Sequence, residues 1–160
     1  MKVIFLDIDG VLNSMPYFQS KEYKKSRSAI SAFHLGLLQQ MHNTCDAKIV
    51  LCSTWREIPH NHSMYQGLED QLARYGMKIF SETPLLEDES RPHEIKTWLT
   101  NHFGINGFVI LDDDFSLDEY KKYGLDQNLV KTKYFCKTEK EGGLQSSHVK
   151  IAEKILCKKK

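Results

Sequence analysis

The stretch V3-I4-F5-L6-D7-I8-D9-G10-V11-L12-N13 sets two carboxylates directly behind four apolar residues. Two apart on an extended chain, Asp7 and Asp9 project to one side, and Gly10 lets the backbone turn sharply after them. Two further polar clusters follow apolar runs in the same way: Ser53-Thr54-Trp55-Arg56 behind residues 47–52, and Asp112-Asp113-Asp114 at the end of residues 107–112. Brought together, Asp7, Asp9, Asp112 and Asp113 would repel. Each like-charge pair at about 4 Å costs roughly 4 kcal/mol at an effective dielectric of about 20, so such a cluster requires a cation. Its ligands are all oxygens, which selects a hard divalent ion. With few groups able to wrap that ion, beside loops that can receive phosphate oxygens, Mg2+ is expected over calcium. An EF-hand calcium loop begun at Asp7 would need glycine at its sixth position and glutamate at its twelfth, where the chain has Leu12 and Phe18.

Alternating apolar runs and amphipathic segments must position these clusters. Residues 2–7, 47–52 and 107–112 are apolar on both faces, as strands covered by helices on either side should be. Residues 77–80 and 129–135 are weaker strand candidates. A helix is predicted over 28–43, with Ser28 as N-cap and Ile30, Phe33, Leu37, Leu38 and Met41 on its apolar face. A second, over 63–75, carries Met64, Leu68 and Leu72 and ends at Gly76. A third, over 92–103, has Pro92 in its first turn, a stripe of Ile95, Trp98 and Leu99, and Gly104 behind it. The last, over 146–157, carries Val149, Ala152, Ile155 and Leu156 behind Ser146 or Ser147 as cap, and 118–124 suggests a short helix before it. The order predicts an α/β fold: a doubly wound, Rossmann-like parallel sheet of about five strands with helices on both faces, forming a single domain over residues 1–160. Ligands of such sheets bind beyond the carboxyl ends of the strands, where all three polar clusters fall.

The composition narrows the setting. With 160 residues, 41% apolar and 27% charged, the chain can bury a core without disulfides or a structural metal. A net charge of +1 gives no general attraction to nucleic acid or to an anionic membrane. Cys45, Cys52, Cys136 and Cys157 lie far apart with no C-x-x-C pair and read as reduced thiols. Met1-Lys2 runs straight into a strand pattern and no apolar run reaches the length of a membrane span, so a soluble, cytoplasmic protein is expected. His60 and His62 lack a third ligand at useful spacing and read as loop residues. Trp55 and Trp98 read as packing residues, His148 as a surface histidine, and Lys158-Lys159-Lys160 as a frayed helix end.

The D7-I-D9-G-V-L-N segment resembles the first motif of the haloacid dehalogenase (HAD) superfamily of phosphohydrolases in its D-x-D-G form. I49-V-L-C-S53-T54 resembles the second motif, R91-P-H-E-I-K-T-W-L the third, and V109-I-L-D112-D113 the fourth, all in the superfamily's order. S-T-W-R after the second strand, with the short chain, resembles small capless HAD-like domains, some of which accompany RNA-repair proteins. The resemblance implies that Asp7 attacks phosphorus to give an aspartyl-phosphate and that Asp9 exchanges protons with the leaving oxygen and then with water. It further implies metal ligation by Asp7, by the Asp9 carbonyl, by Asp112, and by Asp113 directly or through water. Ser53 and the Thr54 amide would bind the phosphoryl group, and Arg91 would balance its charge, with Lys96 as a competitor for that role. Arg56 is a candidate substrate contact or a surface ion-pair partner.

The superfamily selects substrates largely through cap insertions. Here the gaps 14–48 and 55–90 are each nearly filled by one helix, so no separate cap domain is expected and the site should be open to bulky substrates. Residues 17–27 mix aromatic and basic side chains, and read as a solvated loop or a flap gripping a polyanion. The expected function is a magnesium-dependent phosphomonoesterase acting on a phosphorylated small molecule or a nucleic-acid end. The alternatives are a phosphatase confined to nucleic-acid ends or nucleotides, and a non-catalytic HAD-like domain that binds or regulates.

Overall fold

Strand β1 (Lys2–Leu6) runs up the middle of a five-stranded sheet with β2 (Ala47–Leu51) on one side and β4 (Gly107–Asp112) on the other. Outside them lie β3 (Ile79–Glu82) and β5 (Leu129–Lys131), giving the order β3-β2-β1-β4-β5 with every pairing parallel. The computed structural model describes residues 1–157, so the end expected to fray at Lys158 to Lys160 lies outside the described residues.

The sheet is covered on both faces, as an all-parallel sheet must be. Ile4 and Leu6 point to a core shared with α3 (Ala32–Cys45), α4 (Ser63–Arg74) and α7 (Ser146–Leu156). Val3 and Phe5, one residue out of phase, join Val50, Cys52 and Ile110 in a second core. That core is completed by Ile95 and Trp98 of α5 (Arg91–Asn101) and Tyr120 of α6 (Leu117–Lys121). Two short helices, α1 (Met15–Gln19) and α2 (Lys21–Ser26), follow the first strand's turn, and a 3-10 turn, Thr54–Glu57, follows β2. The fold is the doubly wound α/β sheet that the sequence pattern predicts, and no inserted cap domain stands among the described residues.

Local departures have identifiable causes. The helix predicted over 28–43 begins only at Ala32, because residues 28–31 are held by other partners. Asn13 donates to the Ala29 carbonyl, Tyr17 to that of Ser28, and the Ser31 amide to that of Leu12, while the Ser28 hydroxyl serves its own loop. The buried face of α3 is consequently His34, Leu35, Leu38, Met41 and Cys45, leaving Phe33 54% exposed. On α4 the buried stripe is Tyr65, Leu68 and Leu72, with Met64 in solvent. Gly76 closes α4 at a positive φ of 70°, as expected, whereas α5 already ends at the extended His102, two residues before Gly104. Gln145, not Ser146 or Ser147, caps α7, and His148 returns the bond in a capping box. The strand expected over 129–135 stops at Lys131. Beyond it the backbone leaves the sheet for other partners, the Lys133 carbonyl taking Gly143 and the Tyr134 carbonyl taking Met15.

Candidate active site

The register of the sheet assembles the acids. Leu6 pairs with Leu51 on one side and Leu111 on the other, so the next residues, Asp7, Cys52 and Asp112, stand level. The ladder continues one step to hold them there: Asp7 N–H donates to Leu111 O at 3.1 Å and Cys52 N–H to Leu6 O at 3.0 Å. By the two-residue period of a strand, Asp7 follows Val3 and Phe5, and Asp112 follows Ile110, onto the α5–α6 face. Carboxylate oxygens of Asp7, Asp112 and Asp113 all lie within 4.8 Å of one another.

Asp7 and Asp112 are almost wholly buried, at 4% and 0% exposure. Pro92 sets the start of α5, and the preceding residue, Arg91, reaches both acids, donating from Nη1 to Asp7 Oδ2 at 2.6 Å and to Asp112 Oδ1. Its Nε donates to the Cys52 carbonyl at 3.1 Å, and the Phe115 ring lies 5.2 Å from the guanidinium. Asp112 Oδ2 accepts from the Tyr120 hydroxyl at 2.7 Å, and the backbone amides of Asp114 and Phe115 complete its shell. Of the two basic candidates on this helix, Arg91 is the one bonded to the acids. Lys96 is exposed on the same helix and makes no bond to these carboxylates.

The electrostatics agree with a cation site. Burial, reinforced by Asp112 and opposed by Arg91, raises the Asp7 carboxyl to about 7 from 3.8. Burial and then the neighbouring Asp112 and Asp114 raise Asp113 to about 6. Burial works against the Arg91 charge, but Asp7 and Asp112 outweigh it and hold the guanidinium protonated. One cation thus faces three acids, leaving negative charge that an oxygen-seeking divalent ion fits. Gly10, at φ +78°, packs against this cluster: a Cβ there would come 2.1 Å from Asp113 Cγ.

Asp9 stands apart from the three-acid cluster. Its side chain is exposed, Oδ1 taking the Asn13 amide at 2.8 Å and Oδ2 the Trp55 indole N–H at 2.9 Å. Asn13 also accepts from the Gly10 amide at 3.0 Å, so one buried side chain ties together the whole turn after β1. Neither Asn13 nor Trp55 stands out in the sequence as a site residue. The three-residue spacing from Gly10 to Asn13 is a signal of a local side-chain turn, whereas Trp55 meets Asp9 only through the fold.

The second cluster divides. Ser53 is buried at the foot of the 3-10 turn, its hydroxyl taking the Trp55 amide at 3.3 Å, and Thr54 is exposed at the rim. Arg56 borders the same cleft, yet its guanidinium is committed to the fold. It donates to the carbonyls of Cys52, Ser53 and Thr83 and pairs with Glu94 at 2.5 Å, both side chains being 4% exposed. Its partner is the buried Glu94, not surface acids. The cleft itself, about 510 Å3, runs from Arg91 and Thr54 past Leu85, Leu86 and Phe115.

Other sequence features take structural roles. His60 stacks on Tyr65, ring centroids 4.1 Å apart, and His62 caps α4. Trp98 packs edge-on to Phe5 and donates to Ser81. Residues 17–27, expected as a loop or flap, form α1 and α2, with Tyr17 buried and its hydroxyl bonded to Ser28, so Tyr17 offers no stacking face. No helix among the described residues is long and apolar enough to cross a membrane.

Comparison with curated proteins and with solved structures returned no match to this chain. A protein-family model does match, over residues 3–149, and its span takes in β1, the turn after β2, the start of α5 and the end of β4, the four places from which the site is built. Its description is the HAD domain in Swiss Army Knife RNA repair proteins, and the chain belongs to that family.

Proposed function

We propose that this domain is a magnesium-dependent phosphomonoesterase that works through a covalent intermediate on Asp7. The observation that carries the reading is the meeting of Asp7 with Asp112 and Asp113 within 4.8 Å, with Arg91 bonded to Asp7. Asp7, Asp112, Asp113 and the Asp9 carbonyl would hold Mg2+, which when bound supplies positive charge to phosphate oxygens and to the acids around it.

The chain's own groups divide the remaining work. The ionised Asp7 carboxylate forms the new O–P bond, while Ser53 and the Thr54 amide hold phosphoryl oxygens and Arg91 balances the charge that develops on them. Asp9, on the outer side of the turn, gives its proton to the departing oxygen. It then takes one from the water that cleaves the acyl phosphate, regenerating Asp7. Such a division needs Asp9 movable and Asp7 fixed, and their surroundings differ in that sense: Asp7 is buried in a bonded shell, Asp9 is exposed on two bonds.

The site opens into the cleft lined by Leu85, Leu86 and Phe115 without a covering domain among the described residues, which suits a bulky phosphorylated small molecule or a macromolecular end. The family's RNA-repair setting favours a second, narrower reading, a phosphatase for phosphorylated nucleic-acid ends. Release of phosphate from p-nitrophenyl phosphate should require Mg2+, stop in EDTA, and vanish in Asp7→Asn. A panel of nucleotides, sugar phosphates and end-phosphorylated oligonucleotides then ranks the substrates. Absence of release from every substrate in the panel, with magnesium still bound, would assign the domain to binding or regulation.

A further inference from the structure

Far from the acids, two of the cysteines meet. Cys45 ends α3 immediately before the turn into β2, and Cys157 caps the end of α7. Their sulfurs lie 2.9 Å apart although 112 residues separate them. A disulfide needs the sulfurs at about 2.05 Å, so the bond requires an approach of less than about 1 Å. The two thiols are also unlike. Cys45 is buried and Cys157 is exposed beside a groove lined by Thr44, Lys150, Glu153 and Lys154. Lys2 directs its ammonium at the Cys157 sulfur from 3.7 Å, placing a cation beside the atom that carries negative charge when it attacks.

We propose that Cys45 and Cys157 form a redox modification site, in which hydrogen peroxide joins them in a disulfide that fastens the end of α7 to the end of α3. The Cys157 thiolate attacks the peroxide, the O–O bond breaks, and Cys157 becomes a sulfenic acid with water released. The Cys45 sulfur then displaces the sulfenic oxygen, the S–S bond forms, and a second water leaves. Each sulfur is oxidised by one electron and the two peroxide oxygens are reduced. Burial, then the hydrogen bond with Cys157, raises the Cys45 thiol to about 12, which makes Cys45 the resolving partner and Cys157 the first to react. The closed loop spans β2 to α7, so the bond removes much of the freedom of the unfolded chain. The pair stands at the amino-terminal edge of the sheet, where Lys2, Ala47 and Gly107 align, opposite the edge that carries Asp7.

The full chain, first reduced, is treated with hydrogen peroxide, alkylated, digested without reductant and read by mass spectrometry. The expected product is a linked peptide pair through Cys45 and Cys157, two hydrogens lighter than the free peptides. A raised urea midpoint that dithiothreitol reverses should accompany it. Cys157→Ser, an exposed position, should lose both effects while keeping the midpoint of the reduced protein. Sulfinic acid at Cys157 with Cys45 still alkylated, or a Cys157 link between two chains, would overturn the proposal. Neither readout depends on phosphatase activity.

Discussion

Asp9 is asked to deliver a proton from a carboxylate whose two oxygens are already taken by Asn13 and Trp55. Those donors set its orientation at rest, so they are positioning residues for the proposed acid. Trp55→Phe keeps the ring that packs in the core but removes the N–H. It should lower kcat on the order of 10-fold, a fraction of the roughly 100- to 10,000-fold that general acid–base catalysis contributes, and leave KM little changed. An unchanged kcat in steady-state kinetics would release Trp55 from that role. Gly10→Ala sets a methyl on Asp113 at a positive φ, so magnesium affinity measured by calorimetry should fall by about 10-fold or more. Asp7 and Asp112 were legible in the sequence because their position at strand ends is itself a pattern, and Arg91 through the resemblance of its segment to the third motif. Asn13, Trp55 and Tyr120 were not, since the bonds that define them exist only after elements distant in sequence have packed.

Helix α5 works on both sides of the cleft, sending Arg91 to the acids and Glu94 to Arg56. The Arg56–Glu94 pair ties the turn after β2 to α5, the bond from Arg56 to the Thr83 carbonyl ties it to the segment after β3, and both charged groups are buried. Glu94→Ala strands a buried guanidinium and should cost about 3–5 kcal/mol in denaturant unfolding, while Glu94→Ala with Arg56→Met should recover much of the loss. An undiminished Glu94→Ala protein would show the pair to be dispensable. The three central strands were readable almost to the residue because both faces of each are apolar, whereas the edge strands β3 and β5, less buried, were placed less well. The helix faces were less so: a stripe drawn through Phe33 and Met64 competed with one through His34, Leu35 and Tyr65, and hydropathy could not foresee that buried polar contacts select the second. For His34 that contact is a bond to the Gly142 carbonyl at 3.0 Å.

At the scale of the molecule, gathering two buried acids and a half-buried third at one sheet edge is a stability liability that the proposed metal would relieve. Folding raises Asp7 from 3.8 to about 7. Asp113 rises from 3.8 to about 6. Both folded values exceed the unfolded ones, so their contribution to the metal-free protein is full below the unfolded value and is lost progressively as pH rises from about 3.8, the loss ending near 6 for Asp113 and near 7 for Asp7. Magnesium held by these acids would have to displace the same protons, so its affinity would rise as pH rises toward about 7. Thermal unfolding should therefore show a larger magnesium-induced rise in Tm at about pH 8 than at about pH 5, and Asp7→Asn should flatten the difference. His34, which burial holds below its ordinary 6.5, acts in the opposite direction as the medium becomes acidic. Comparison with Asp7→Asn isolates the site from that background.

The most direct measurement is to incubate the protein with an aryl phosphate and magnesium, quench in acid, reduce any acyl phosphate with borohydride, and locate the modified residue by mass spectrometry. The account predicts a single homoserine, at position 7, absent from Asp7→Asn and from EDTA-treated protein. Modification at another carboxylate, or phosphate release that persists in Asp7→Asn, would contradict it.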